Sequence, residues 1–138
     1  GTGVAPFLSI LQDFEVWEKF ERVILVYSAR EEKELAYQPL IHQLMQREYL
    51  AEYAHKFIYV PVVTREKVAG ALNQRMTSLI ESGELERAAG VALTAEHSRV
   101  MICGNPQMIE DVRALLKHKA MRLSLTRKPG QIAVENYW

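Results

Sequence analysis

The sequence predicts an α/β fold, a doubly wound and mostly parallel sheet covered by helices on both faces. Three observations carry that expectation. Short apolar runs rich in β-branched residues ("RVILVYSA", "KFIYVPVVT", "SRVMICG", "QIAVENYW") suit strands buried on both faces. The segments between them place apolar residues at helical spacing. Strict alternation of the two kinds implies right-handed crossovers and parallel pairing. No internal repeat, low-complexity tract or linker interrupts the series.

The elements follow in order. Over residues 4–14, Phe7, Ile10, Leu11 and Phe14 recur at helical spacing, with Pro6 where a first turn tolerates it. Residues 22–29 form the first buried strand. Leu40, Leu44 and Met45 return to helical period over 35–48, with Pro39 near that helix's first turn. Residues 56–64 are the next strand, and Pro61 predicts that it lies at a sheet edge or is bulged. One or two short helices, broken at Gly83, occupy 76–88. A strand over 98–104, a helix over 105–119 and a last strand over 131–138 complete the chain.

The chain has 138 residues, 49% of them hydrophobic, which is the size of one domain able to bury a core. Lys and Arg total 17, as do Asp and Glu, so no net charge attracts nucleic acid or a membrane surface. A single Cys excludes an internal disulfide and fits a reducing, cytoplasmic setting. No apolar run reaches the ~18 residues of a membrane span, and no signal-peptide pattern is present. A monomer is expected. The charge is nevertheless uneven: Arg113, Lys117, Lys119, Arg122, Arg127 and Lys128 follow one another with no acid among them. That run reads either as a solvated face or as a docking patch for an acidic partner.

In doubly wound sheets, ligands bind beyond the carboxyl ends of the strands. "GTGVAP" sets Gly1, Thr2 and Gly3 ahead of a helix, where backbone N–H groups and the helix's positive end suit a pyrophosphate. Pro6 departs from the G-x-G-x-x-G pattern, and a plain turn accounts for the stretch equally well. "VYSAR" brings Ala29 and Arg30 to the second end; an Arg here suits a 2′-phosphate better than ribose hydroxyls, unless it pairs with Glu31 and Glu32 behind it. "VVTRE" offers Thr64 and Arg65, and Arg75 follows ten residues on; a hydroxyl and two guanidiniums would cage a phosphate dianion, although each arginine alone reads as surface. "MICGNPQM" places Cys103, Gly104 and Asn105 at another strand end. No His stands in a motif to activate the thiol, so Cys103 is expected beside a ligand rather than as a nucleophile, with an inert core Cys as the alternative. No metal site is expected.

"GTGVAPFLSI", "VYSAR", "VVTRE", "MICGNPQM" and the terminal "VENYW" together resemble, in the same order, the NADP-binding domain of ferredoxin-NADP reductases, particularly the bacterial flavoenzymes that end in an aromatic pair. The resemblance spans essentially the whole chain and implies a Rossmann-like domain, with NADP and FAD as cofactors and ferredoxin or flavodoxin as partner. It implies that an N-terminal FAD-binding β-barrel and the first sheet strand lie outside residues 1–138. The isolated chain is then expected to be inactive and to lack a cooperative melt.

Position by position, the resemblance puts Thr2 near the cofactor junction and Gly1 and Gly3 near the NADP pyrophosphate. It puts Ala29 and Arg30 at the nucleotide, and Thr64, Arg65 and Arg75 at the 2′-phosphate. Thr64 stands where the family often has Ser, which keeps the hydroxyl. Cys103 would face the nicotinamide pocket beside Gly104 and Asn105. Glu135 and Tyr137 resemble the family's C-terminal pair, the carboxylate aiding proton traffic and the ring covering the flavin. Trp138 would extend along FAD; a plain hydrophobic terminus is the alternative for both aromatics. Two other functions remain open: a non-catalytic NADP-binding module, or the nicotinamide domain of an oxygenase reductase.

Overall fold

The structure, a computed structural model, describes residues 4–125 and 127–136, without the side chains of Glu135 and Asn136. The chain divides into two compact units, residues 1–74 and 75–138.

In the first unit, α1 (Ala5–Leu11) and α2 (Phe14–Lys19) precede β1 (Val23–Ala29), a 3-10 turn (Glu32–Glu34), α3 (Gln38–Met45), a 3-10 stretch (Glu48–Lys56) and β2 (Phe57–Val63). The one helix expected over 4–14 is two. Asp13 is extended (φ −94°, ψ 131°), and its side chain accepts the Glu15 N–H at 3.0 Å, so an Asx-type cap starts a new helix where the apolar period alone shows none. The 3-10 stretch also lies beyond the expected helix end.

β1 and β2 pair in parallel, in register from Val23 with Phe57 to Ala29 with Val63. Pro61 sits inside β2 without breaking that ladder. Its carbonyl accepts the Leu72 N–H at 3.0 Å and the next-but-one N–H, of Val63, donates to the Leu72 carbonyl at 2.9 Å, so both residues point away from β1. The missing N–H of Pro61 therefore faces the side where, among the described residues, β2 meets the isolated bridge to Leu72. Leu25, Tyr27, Ala29 and Val63 point to one face and join Leu8, Leu11, Trp17, Leu35, Ile41, Leu44 and Leu50 in a continuous core.

Two anchors tie this core together. The fully buried Trp17 donates its indole N–H to the Leu11 carbonyl at 2.7 Å, closing the end of α1, and its ring packs on Tyr53 and Phe57. Lys56 donates to the carbonyls of Trp17 (2.6 Å) and Phe20 (3.2 Å), placing a positive charge at the C-terminal end of α2 where the helix dipole favours it. Under the sheet, the Tyr59 hydroxyl donates to Gln38 Oε1 at 2.7 Å, and burial, with Tyr27 nearby, pushes its pKa up to about 12. It remains a neutral phenol throughout the physiological range.

The second unit contains α4 (Met76–Ser82), α5 (Glu84–Ala89), β3 (Val100–Gly104), α6 (Pro106–Lys117) and β4 (Ile132–Asn136). β3 and β4 are parallel, in register from Val100 with Ile132 to Gly104 with Asn136. Gly83, at φ 81°, separates α4 from α5 at the expected break. The Asn105 side chain caps α6 by accepting the Met108 N–H at 2.9 Å, with Pro106 in the first turn. Ala120, in the left-handed region at φ 64°, ends the helix; the Met121 N–H reaches back to the Leu116 carbonyl at 3.1 Å. The following segment, which no sequence pattern marks, runs beside β4 through a parallel bridge between Leu123 and Ile132. Both strand pairs are thus parallel and separated by helices, as the α/β expectation requires. Among the described residues no helix is long and apolar enough to cross a membrane.

Two stability outcomes are expected for the full-length protein that carries this segment. Lys56→Met removes two charge-assisted bonds to backbone and should lower the unfolding free energy by about 1.5–3 kcal/mol, read as a lower urea midpoint; an unchanged midpoint would contradict the tether. Ala120→Gly relieves an alanine in left-handed geometry against a more flexible unfolded chain, for a net gain of up to about 1 kcal/mol. A lower melting temperature for that variant would show the turn is held otherwise.

Candidate functional site

Backbone hydrogen bonds still join the two chain segments just past the strand ends. The Thr64 N–H donates to the Ala29 carbonyl at 2.9 Å, and the Arg65 N–H donates to the Arg30 carbonyl at 2.8 Å. Two residues from distant parts of the sequence, Arg30 and Arg65, are therefore backbone neighbours at the carboxyl edge of the β1–β2 pair. Both are exposed, and neither forms an ion pair among the described residues. Glu31 behind Arg30 is engaged otherwise: it pairs with Lys33 at 3.1 Å and closes a capping box with Glu34 on the 3-10 turn. Thr64 is half-buried between the two strand ends, its hydroxyl donating to the Ala29 carbonyl at a long 3.4 Å, a bond weak enough to be exchanged for a better acceptor. Two guanidiniums and a hydroxyl at one strand edge form a cationic surface suited to a dianionic oxyanion.

Arg75 is the N-cap of α4 and the first residue of the second unit, two positions past Asn73. It is exposed. In the same unit, Cys103 is half-buried in β3 and lies directly in register with Glu135 of β4, so the two residues expected near the nicotinamide are neighbours along one strand pair. Gly104 ends β3, and a Cβ there would stand 2.5 Å from Cε of Met108, so the glycine keeps the strand end bare where α6 begins. Asn105 follows, its side chain occupied with the cap of α6. Gly1, Thr2, Gly3, Tyr137 and Trp138 lie outside the described residues.

The model of one family, the oxidoreductase NAD-binding domain, matches residues 1–114. The chain belongs to this family. Among curated relatives, the chain is 44% identical over its whole length to a flavodoxin/ferredoxin-NADP reductase of Shigella flexneri, covering 54% of that protein. It is 41% identical over 98% of its length to a ferredoxin-NADP reductase of Azotobacter vinelandii, covering 53% of it. A crystal structure of a ferredoxin NADP+ reductase from Neisseria gonorrhoeae with bound FAD and NADP superposes with a TM-score of 0.88 at 35% identity, over the whole of this chain and 53% of that one. The chain thus spans about half the length of these relatives, and its fold is the α/β class expected from the alternation of strands and helices and the Rossmann-like domain that the resemblance implies.

Two features of this NAD-binding domain escape the sequence. The first is Asn73, whose side-chain amide donates to the carbonyls of Val63 (3.0 Å) and Glu66 (2.7 Å), on either side of Thr64 and Arg65. Nothing in "AGALNQR" marks the asparagine; only the return of the loop to β2 shows its partners. The second is a groove of about 410 Å³ along α6, lined by the charged residues Glu110, Arg113, Lys117 and Arg122 and by Ala114, Met121, Leu123 and Ile132. The basic run is divided by it. Lys119 instead pairs with Glu86 at 3.5 Å and is partly buried, so it belongs to the packing of α5 rather than to the open patch.

Proposed function

We propose that this chain is the NADP(H)-binding half of a flavoprotein reductase that passes electrons between NADPH and a ferredoxin or flavodoxin by way of FAD, in the cytoplasm. One observation carries the reading: Arg30 and Arg65 stand side by side at a parallel strand edge, with the Thr64 hydroxyl between the strand ends and no carboxylate neutralising either guanidinium among the described residues. That donor set fits a ribose 2′-phosphate, which NADP has and NAD lacks. The names of the relatives support the rest.

In this proposal Gly1, Thr2 and Gly3 approach the pyrophosphate, Ala29 and Arg30 the adenosine end, and Thr64, Arg65 and Arg75 the 2′-phosphate. Cys103, Gly104 and Asn105 border the nicotinamide, with Glu135 opposite Cys103 serving proton movement and Tyr137 and Trp138 covering the flavin. Bound FAD supplies hydride exchange with the nicotinamide and single-electron exchange with the carrier. The work of this chain is to bind and orient the nucleotide, with Arg30 and Arg65 holding its phosphate-bearing end. The groove along α6, where Arg113, Lys117 and Arg122 outnumber Glu110, serves as part of the surface for an acidic carrier.

The test of cofactor choice uses the full-length protein. A charge-assisted bond contributes roughly 1.5–3 kcal/mol, so Arg65→Ala and Arg75→Ala should each weaken NADPH by about 10- to 150-fold while NADH hardly responds. Equal losses for both nucleotides would refute a 2′-phosphate role. A full-length protein that bound NADPH yet held no flavin and reduced no carrier would instead be a nucleotide-binding module without catalysis.

The docking surface has its own test. Arg113→Glu with Lys117→Glu should slow reduction of an acidic carrier at low salt and matter little at ~1 M, where the Debye length falls to about 3 Å. NADPH oxidation by a small neutral acceptor should stay at the unmodified rate. A loss of the same size at both salt concentrations would mean that the substitutions damage folding, not docking.

A further inference from the structure

We infer that Asn73 is a positioning residue for nucleotide discrimination: it clamps the Thr64–Arg65 backbone from both sides and so presents the hydroxyl and guanidinium to the 2′-phosphate. The inference rests on the reading of Thr64 and Arg65 given above. Residues 64–71 leave β2 and turn back through Gly70, at φ 82°, with the Ala71 N–H donating to the Val68 carbonyl at 3.1 Å. The chain rejoins β2 at Leu72, which bonds both Pro61 and Val63. Asn73 is the next residue, and its Nδ2 reaches Val63, just before Thr64, at 3.0 Å and Glu66, just after Arg65, at 2.7 Å.

This geometry defines the amide's orientation. Both partners are carbonyl oxygens, so the NH2 group must face them; the flipped rotamer would set Oδ1 against two acceptors. Only a short side chain with two protons on one nitrogen makes both bonds from this position. Asp has the length but no donor, and Ser has one donor at most. On the other side, the Thr64–Arg65 dipeptide is already held by Ala29, the last residue of β1, and by Arg30 just after it. Asn73 supplies the restraint that β1 cannot, at the loop's open end. A guanidinium on a preorganised backbone loses less conformational freedom on binding its anion than one on a mobile loop. The benefit should fall on the ligand that carries the phosphate and on binding rather than turnover.

The experiment is a double-mutant cycle in the full-length protein, with Asn73→Ala, Arg65→Ala and the pair, measuring KM and kcat for NADPH and NADH together with the melting temperature. Asn73→Ala is expected to raise KM for NADPH by about tenfold with kcat within about twofold and KM for NADH unchanged. Combined with Arg65→Ala it should add less than about twofold, because the arginine it positions is gone. Additive losses, or equal losses for NADH, would overturn the inference and make Asn73 a plain loop brace. The two readings fail separately: Arg65→Ala discriminating while Asn73→Ala is silent sinks only the role of Asn73. Arg65→Ala failing to discriminate sinks the phosphate site itself.

Discussion

The phosphate site proposed for the nucleotide depends on one constraint, the parallel register of β1 and β2 and the backbone bonds that join the residues just past their ends. A parallel ladder sends both strands out of the sheet in the same direction, so the residues that follow each strand emerge side by side. Here the bonds from Thr64 to Ala29 and from Arg65 to Arg30 hold the two segments together just beyond the ladder. Two positive side chains that would repel in isolation are thereby held on adjacent backbones.

The pairing in turn needs β1 and β2 held in a single register, because a one-residue slip would move each strand's buried side chains to the opposite face. Packing supplies that choice. Leu25, Tyr27 and Ala29 of β1 share a face with Tyr59 and Val63 of β2, and Trp17 closes the core from α2. Lys56, at the start of β2, bonds the end of α2, so the strand and the helix cannot shift independently. Pro61 completes the specification from the other side: it is tolerable only where its ring faces away from β1.

The second unit solves a different problem with the same device. Its parallel pair brings Cys103 opposite Glu135, two groups that the chain separates by more than thirty residues. Asn105 and Pro106 start α6 at once after Gly104, leaving little side-chain bulk at the strand end. The long basic run that follows is not a uniform patch. Lys119 is drawn inward to Glu86, Arg122 donates to the Pro129 carbonyl at 3.0 Å, and Arg113 and Lys117 line the α6 groove with Glu110. Charge count alone therefore overstates what a carrier protein would meet.

The sequence by itself determined the α/β class, the alternation of elements, the constraint that Pro61 puts on one side of β2 and the identity of the strand-end residues. These are properties of local period, β-branching and a missing N–H, and they survive in a string of letters. It also carried the resemblance through motifs placed at successive strand ends. The sequence could not show that α1 and α2 are separate helices, because an Asx cap at Asp13 leaves the apolar period intact. Nor could it show which arginines are open, since Glu31 and Glu32 are adjacent to Arg30 in the chain, yet Glu31 pairs with Lys33 in space. Tertiary structure alone decided that Arg65 lies beside Arg30, that Lys119 is paired, and that Asn73 reaches both sides of Thr64 and Arg65. Each of these is a hydrogen bond or ion pair between residues whose separation in sequence bears no fixed relation to their separation in space, and only the register of packed strands converts one into the other.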